Sequence, residues 1–282
     1  GGLARYGVAP DHADHVAPVL ETIDGVLGDA RVRFFGNVHV AEEEGPQGQE
    51  VGSSSSSGSS GGAGGVHLRE LRRMYDAVVM AHGADRANWL GIAGEGELKG
   101  RGVTTARDLV AFYCGDPLAA HGNDPFFYNT GDSDNGGGGA GEVLDVVVVG
   151  AGNVALDVAR MLLSPPEALH AETDTAERFV SMLRGAGVLA GVRRVHVLAR
   201  RGPKFASFAP KELREILSKR PHIRATVVLP GAAQAKESKE VLLPFDGDLP
   251  RGAPRAQKRV FKLLKDRFES PPPPPVEGQG DE

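Results

Sequence analysis

The segment VVVVGAGNVALDVAR, residues 146–160, constrains the fold of this chain more than any other. Four consecutive valines are typical of a buried strand in a parallel sheet, and the apolar residues that follow recur at helical spacing. Between them, residues 150–155 match the G-x-G-x-x-A pattern of dinucleotide-binding turns. Gly150 permits the tight turn, Gly152 lets a pyrophosphate approach the backbone, and Ala155 lets the helix pack on the strand. The segment predicts an α/β fold that binds a dinucleotide, with a purely structural turn as the alternative.

The end of the next strand indicates which dinucleotide binds. Sites for NAD place an acidic residue there, which holds the ribose 2′-hydroxyl. Here the strand VHVLA is followed by Arg200 and Arg201. Two guanidinium groups form charge-assisted hydrogen bonds with a 2′-phosphate, whereas they offer no acceptor to a free ribose diol. The pair favours NADP over NAD, and a solvated basic strand end is the alternative. Asp157, one turn into the helix, is expected to be a structural hydrogen-bond acceptor rather than a catalytic group.

Composition excludes several other classes of protein. Cys114 is the single cysteine among 282 residues, so the chain holds no internal disulfide and no four-thiolate iron–sulfur cluster. No apolar run approaches the roughly 20 residues of a membrane span, so no transmembrane segment is expected. The net charge of −5 is unevenly distributed, since residues 193–268 carry 19 Lys and Arg against 7 Asp and Glu. This basic region can serve an acidic protein partner, nucleic acid or solvent alone.

Hydrophobic spacing and turn residues predict the order of the secondary-structure elements. Helices are predicted over 13–28, from 102 to about 113, after 152, over 209–220 and over 254–268. Strands are predicted over 31–40, over 75–85, from 145 to the glycine turn and over 194–202. The Gly- and Ser-rich residues 52–65 predict a flexible insert, and a loop is predicted over 115–141.

Six segments together resemble the adrenodoxin reductase-type ferredoxin–NADP⁺ reductases. They are RYGVAPDH, FFGNVHV, YDAVVMAHGAD, VVVVGAGNVALDVARMLLSPPEAL, VHVLARRGPKFASFAPKELREI and PRAQKRVFKLL. The resemblance covers nearly all of residues 3–268, apart from the insert and the 120–142 loop. It implies a mitochondrial flavoenzyme in which NADPH gives a hydride to FAD, and FAD passes single electrons to a ferredoxin or adrenodoxin-type [2Fe-2S] protein.

The resemblance also implies a domain arrangement, a Rossmann-like NADP-binding domain inserted in an FAD-binding domain. Residues 1–101 are expected to form part of the FAD-binding domain, residues 102–268 most of the NADP-binding domain, and residues 269–282 a disordered tail. The family begins with its own G-x-G-x-x-G turn for FAD and ends with a glycine-rich segment against the flavin, and neither is found here. We therefore expect an internal fragment in which an intact FAD site cannot be assembled.

The resemblance implies roles in cofactor binding for residues of both domains. Those expected to bind NADP are Gly150, Ala151, Gly152, Asn153, Val154, Arg200, Arg201 and Glu212. Those expected to touch FAD are Val40, Gly83 and Ala84. Glu212 beside two arginines can orient them and bond to the ribose, although an ordinary first-turn helix residue is the alternative. Val40 is also explained as a core strand residue.

Catalytic roles are implied for His12 and Glu215. His12 matches a family position near the flavin, where reduced flavin must exchange a proton as its electrons leave singly. A histidine that titrates near neutrality suits that exchange. Glu215, one turn beyond Glu212, can belong to the same proton relay. The alternatives are a histidine at a helix start and a surface carboxylate.

Basic residues near the end of the chain are expected to bind the protein partner. In the family, basic side chains at such positions dock an acidic ferredoxin, and here they are Arg214, Arg255, Lys258 and Arg259. A solvated helix face is the alternative. Nucleic acid is disfavoured because aromatic residues do not alternate with the charges. Two other functions stay open, the electron-input subunit of another NADPH flavoenzyme and a non-catalytic NADP-binding module.

Overall fold

In the computed structural model the chain forms two units, residues 1–20 with 87–282 (unit 1) and residues 21–86 (unit 2). The structure describes residues 4, 6–36, 38–41, 65–84, 87–99, 102–117, 144–186, 192–200, 202–220, 222–225, 249–250 and 252–271. Several features predicted from the sequence lie outside the described residues: nearly all of the Gly/Ser insert, most of the loop after residue 115, Arg201, and the tail beyond residue 271.

Helices make up most of the described regular structure. The α-helices are α1 (Ala17–Leu27), α2 (Leu68–Met74), α3 (Ala106–Tyr113), α4 (Asn153–Leu163), α5 (Pro166–Glu172), α6 (Glu177–Ser181), α7 (Pro210–Arg214) and α8 (Arg255–Glu269). Segments of 3₁₀-helix cover Pro10–His15 and Pro203–Phe205, and π-helical turns cover Met182–Ala186 and Glu215–Lys219. The predicted helices are confirmed, although α1 begins four residues later than expected. Among the described residues, no helix is both long enough and apolar enough to cross a membrane.

The strands on either side of the predicted crossover lie next to each other in one sheet. Strand β3 (Leu144–Val149) pairs in parallel with β4 (Val192–Leu198), and Val149 lies opposite Leu198. Helices α4, α5 and α6 lie between these strands in the chain, as a parallel connection requires. The α/β dinucleotide-binding fold predicted from residues 146–160 is therefore present.

Helix α4 is held between two apolar clusters of unit 1. Val158 and Met161 pack in the first cluster, which also contains Phe179, whose ring lies edge-on to Tyr113 at a centroid distance of 5.7 Å. Leu156 and Ala159 pack in the second cluster with residues of α7 and α8. Because both sides of α4 are covered, the helix forms a rigid support for the turn at its N-terminus.

The strands predicted over 31–40 and 75–85 are wrong for most of their length. Among the described residues of these ranges only Val40 lies in a strand, β1 (Val40–Ala41), which pairs in parallel with β2 (Val66–His67). The apolar side chains there stay largely exposed, with Phe34 at 73% and Val79 at 86%. Alternating or apolar residues favour a strand only when a neighbouring strand takes up the backbone hydrogen bonds, so the pattern alone was insufficient.

Candidate functional site

The turn between β3 and α4 has the backbone that the sequence pattern predicts. Gly150 has a φ of +140°, a conformation that side-chain-bearing residues rarely adopt, and its N–H donates to Leu198 O at 2.9 Å. Gly152 is the N-cap of α4, and it offers no side chain to the free N–H groups of the first turn. Free N–H groups and a bare backbone at a helix N-terminus suit the binding of phosphate groups.

The segment that leads into α7 is hydrogen-bonded to this turn. The N–H and the hydroxyl of Ser207 both donate to Ala151 O, at 3.1 and 2.7 Å. The N–H of Ala209 donates to Asn153 Oδ1 at 2.6 Å. The side chain of Asn153 therefore helps to hold the start of α7, and with it Glu212, against the nucleotide turn. Sequence reasoning missed Ser207, because a serine in a loop carries no signal of its own.

Arg200 lies at the same edge of the sheet as the glycine turn. It follows the end of β4 by two residues, and β4 is the direct neighbour of β3. Its side chain is exposed, as are Asn153 and Val154 on the first turn of α4. Because ligands of such folds bind at the carboxyl ends of the strands, Arg200 stands where a 2′-phosphate would be read. Arg201 lies outside the described residues.

A second feature of unit 1 is a histidine held between two glutamates. His12 Nε2 lies 3.1 Å from Glu215 Oε2, and His12 Nδ1 lies 3.8 Å from Glu212 Oε2. All three side chains are largely buried, and Glu212 Oε2 accepts no hydrogen bond from the described residues. An imidazole that keeps its proton on Nε2 donates to Glu215, and a protonated ring also offers a donor to Glu212. The residues predicted to be catalytic are thus brought into contact across 203 positions of sequence.

Two arginines connect the carboxylates around this histidine. The guanidinium of Arg160 donates from Nε and Nη2 to both oxygens of Asp11, at 2.7 and 3.0 Å, and also to Asp157 Oδ1. Arg220 donates from Nη2 to Asp11 Oδ2 at 2.9 Å and from Nε to Glu215 Oε1 at 2.9 Å. As predicted, Asp157 is a hydrogen-bond acceptor. We call Asp11, Asp157, Arg160, Glu215 and Arg220 the ion network.

The pKa values of Glu215 and Asp157, two carboxylates of the ion network, are shifted in opposite directions. Burial would raise the pKa of Glu215, but the hydrogen bond from Arg220 and the charge of Arg160 hold that pKa below its usual value. Burial raises the pKa of Asp157, against the lowering effect of the Arg160 charge. Glu215 is therefore ionised at neutral pH and can accept a hydrogen bond from His12.

Asp11, Arg160 and Arg220 were missed at the sequence level. One signal was present for Arg160, since a charged residue follows Asp157 by three positions in an otherwise apolar helix. Charged side chains are almost never fully buried unless they are paired, so an arginine at such a position predicts an acidic partner. The partner, Asp11, lies 149 residues away, and nothing in the local sequence predicts that it pairs with Arg160.

The residues expected to touch FAD lie in unit 2. Val40 pairs with Val66 in the two-residue sheet, and its side chain is partly exposed. Gly83 and Ala84 follow in a segment without regular structure. Gly83 has a φ of +73°, and a Cβ placed on it would meet no atom within 4 Å. Its backbone is therefore open on the side where a side chain would otherwise stand.

The basic residues expected to dock a partner lie on two neighbouring helices of unit 1. Arg214 ends α7, and the other three, Arg255, Lys258 and Arg259, lie on α8. All four are exposed, whereas Val260 and Leu264 bury the opposite face of α8. Between the helices lies an open depression of about 510 Å³ lined by Arg214, Arg259, Lys262, Leu263 and Asp266. We call the four exposed basic residues the basic face.

Curated proteins of one kind match this chain over most of its length. The NADPH:adrenodoxin oxidoreductase of Homo sapiens is 34% identical over 267 residues, which is 93% of this chain and 42% of the human protein. The enzyme of the same name from Arabidopsis thaliana is 34% identical over 93% of the chain and 43% of its own length. That of Drosophila melanogaster is 38% identical over 77% of the chain and 36% of its own length.

This chain is homologous to the NADPH:adrenodoxin oxidoreductases. This chain spans less than half the length of these relatives, which are all named mitochondrial. Its fold matches FprA from Mycobacterium tuberculosis with a TM-score of 0.67 and 30% identity, over 97% of the chain and 48% of FprA. FprA has also been solved in complex with NADPH. A search of protein-family models found none that matches this chain.

Proposed function

We propose that this chain carries the NADPH entry site of an NADPH:ferredoxin oxidoreductase of the adrenodoxin reductase type. The observation that carries the proposal is the glycine turn at residues 150–152 with Arg200 at the same sheet edge, in a chain homologous to enzymes named for NADPH. We further propose that residues 102–268 belong to an NADP-binding domain inserted in an FAD-binding domain, to which residues 1–101 contribute. The mitochondrial names of the relatives support the same location for this protein.

The residues at the turn fit the phosphates of NADP. The first N–H groups of α4 would hold the pyrophosphate, and Gly152 would let it approach the backbone. Arg200 and Arg201 would hold the 2′-phosphate through charge-assisted hydrogen bonds. Glu212 would bond to the ribose or orient the arginines, and the hydrogen bonds of Ser207 and Ala209 would keep its helix beside the turn.

The open backbone at Gly83 fits the close approach of a second cofactor, which we propose to be FAD. Val40, Gly83 and Ala84 would line part of it. FAD supplies the step that nicotinamide lacks, because it accepts a hydride and gives up electrons singly. The protein's own contribution is to bind both cofactors, to orient them and to move the accompanying proton.

His12 is the residue that we propose moves this proton. Glu215 holds the ring through Nε2, and Nδ1 faces the unpaired oxygen of Glu212. Because the ring can carry one or two protons, it can take up a proton on one nitrogen and release it from the other. Hydride transfer needs orientation more than acid–base help, so this role belongs to the steps in which single electrons leave.

Transfer from NADPH to a [2Fe-2S] ferredoxin tests the proposed function. A full-length protein that contains this chain and binds FAD is expected to reduce the ferredoxin with NADPH and to do so far more slowly with NADH. Absorbance of the ferredoxin measures the rate, and the His12→Gln variant serves as the control for the relay. Equal rates with NADH would contradict the assignment of NADP. Binding of NADPH without any transfer would favour a non-catalytic NADP-binding module.

The basic face is proposed to dock the acidic ferredoxin. Replacing Lys258 and Arg259 with Glu is expected to slow association with the ferredoxin by about tenfold at low ionic strength, because complementary charges steer the encounter. The difference from the unmodified protein should shrink at high salt, where charges are screened. Stopped-flow measurements at several salt concentrations give the rates. Replacing Arg193 and Arg194 with Glu makes the same change of charge at exposed positions at the start of β4, and this variant is the control. Equal slowing by both proteins would mean that net charge, not the basic face, sets the rate.

A further inference from the structure

Arg160 is buried in a way that the nucleotide turn and the proton relay do not explain. Its side chain is 1% exposed, although it carries a full charge. Four N–H···O contacts of 2.7–3.1 Å join its guanidinium to Asp11 and Asp157. The two hydrogen bonds to Asp11 form a fork that only a planar guanidinium can make.

The partner of this fork is the residue directly before His12. Asp11 also receives a hydrogen bond from Arg220, whose other donor holds Glu215, and Glu215 in turn contacts His12. The contacts thus form a closed circuit. Asp11 is joined to His12 through the backbone, His12 contacts Glu215, and Arg220 binds both Glu215 and Asp11. Arg160 binds this circuit at Asp11.

The backbone of the same segment is also anchored to unit 1, but less specifically. Ala9 is 1% exposed in the first apolar cluster, and the thiol of Cys114 donates to Val8 O at 3.3 Å. These contacts set the depth of the segment and leave the direction of the His12 ring to its polar neighbours. The fork from Arg160 therefore joins the Asp11–His12 pair directly to α4.

We propose that Arg160 is a positioning residue that acts through Asp11 to hold the His12 ring between Glu212 and Glu215. This inference rests on the proposed role of His12, which gives the orientation its purpose. Arg160 lies two turns along the helix whose N-terminus forms the glycine turn. Helix α4 consequently positions the glycine turn at its N-terminus and His12 two turns farther along. The helix thereby holds the two sites at a constant position relative to each other.

The tautomer of His12, observed by NMR of its ring nitrogens, tests the proposal without any enzyme activity. Spectra recorded at a pH high enough to deprotonate the ring are expected to show one tautomer in the unmodified chain, with hydrogen on Nε2. Arg160→Lys keeps the charge and loses the fork, so a mixture of both tautomers is expected. The His12→Gln variant assigns the signal among the nine histidines. Arg178→Lys is the matched control, because Arg178 is partly buried and donates to the carbonyls of Phe112 and Asp116.

A second variant separates positioning from general stability. Asp11→Asn keeps the size of the side chain and removes the charge. Like Arg160→Lys, it should give a mixture of both His12 tautomers. In a full-length protein that contains this chain and binds FAD, both variants should lower kcat by about tenfold or more while the KM for NADPH changes less than twofold. A single unchanged tautomer in both folded variants would overturn the proposal. If the tautomer depends on Arg160 but NADPH supports no electron transfer, the positioning stands and the proposed function fails.

Discussion

Replacing Arg200 and Arg201 together with Ala is expected to weaken NADPH binding by a factor of about 100 or more and to leave NADH binding almost unchanged. Each charge-assisted hydrogen bond to a 2′-phosphate contributes about 1.5–3 kcal/mol, which corresponds to about a tenfold to a hundredfold change in affinity. NADH lacks that phosphate and loses no such bond. Fluorescence titration of the reduced nicotinamide with each variant measures both dissociation constants.

A control at the other end of the same strand removes the effect of net charge. Arg193 and Arg194 carry the same two charges at the start of β4, where Arg194 pairs with Asp145 at 2.7 Å. Their replacement by Ala should change NADPH affinity only slightly, because exposed charges act weakly through solvent. The assignment of the 2′-phosphate to Arg200 and Arg201 is refuted if both double variants lose the same affinity, or if NADH weakens as much as NADPH.

Replacing Arg160 with Met is expected to destabilise the protein by about 3–5 kcal/mol, because Asp157 would lose its arginine partner and buried Asp11 would keep only Arg220. Asp11 is only 7% exposed, so water cannot replace the lost guanidinium. Urea unfolding followed by circular dichroism measures the free energy of unfolding. Replacing Asp11 with Asn in the same protein should recover part of the loss, since it removes the buried charge that Arg160 had neutralised.

Arg184 offers a matched control for burial. It also pairs with two carboxylates, those of Glu167 and Glu177, at 2.9 Å each, but these are 76% and 58% exposed. Arg184→Met should therefore destabilise the protein far less than Arg160→Met, because exposed ion pairs contribute little to stability. Similar losses for Arg160→Met and Arg184→Met would show that the ion network is effectively solvated, and that its burial is unimportant.

The nucleotide turn was predictable because its signal is local. A strand, a glycine with positive φ and a helix follow one another within residues 144–163. The strand is less buried than its four valines predict, since Val147 and Val149 are 54% and 59% exposed. The signal is local for α8 as well, where Val260 and Leu264 recur at helical spacing and are buried. Short-range backbone preferences and helical periodicity were sufficient for these elements.

Strands outside this segment were not predictable in the same way. Residues 31–36 and 75–84 carry β-branched and aromatic side chains, yet they form no strand in the described part of unit 2. Backbone hydrogen bonds of a strand are made to another strand, which the local sequence does not specify. A propensity for β-structure is thus a condition for pairing and not a prediction of it.

The glycine turn, the NADP preference inferred from the arginine pair, and the candidates His12, Glu212 and Glu215 were all predicted from the sequence. That these three side chains meet, and that Arg160 and Arg220 bind Asp11 across 149 and 209 positions, is visible only in the folded chain. Contacts over such separations depend on how α4, α7 and the N-terminal segment pack, because burial excludes water and leaves each charge to find a partner inside the protein.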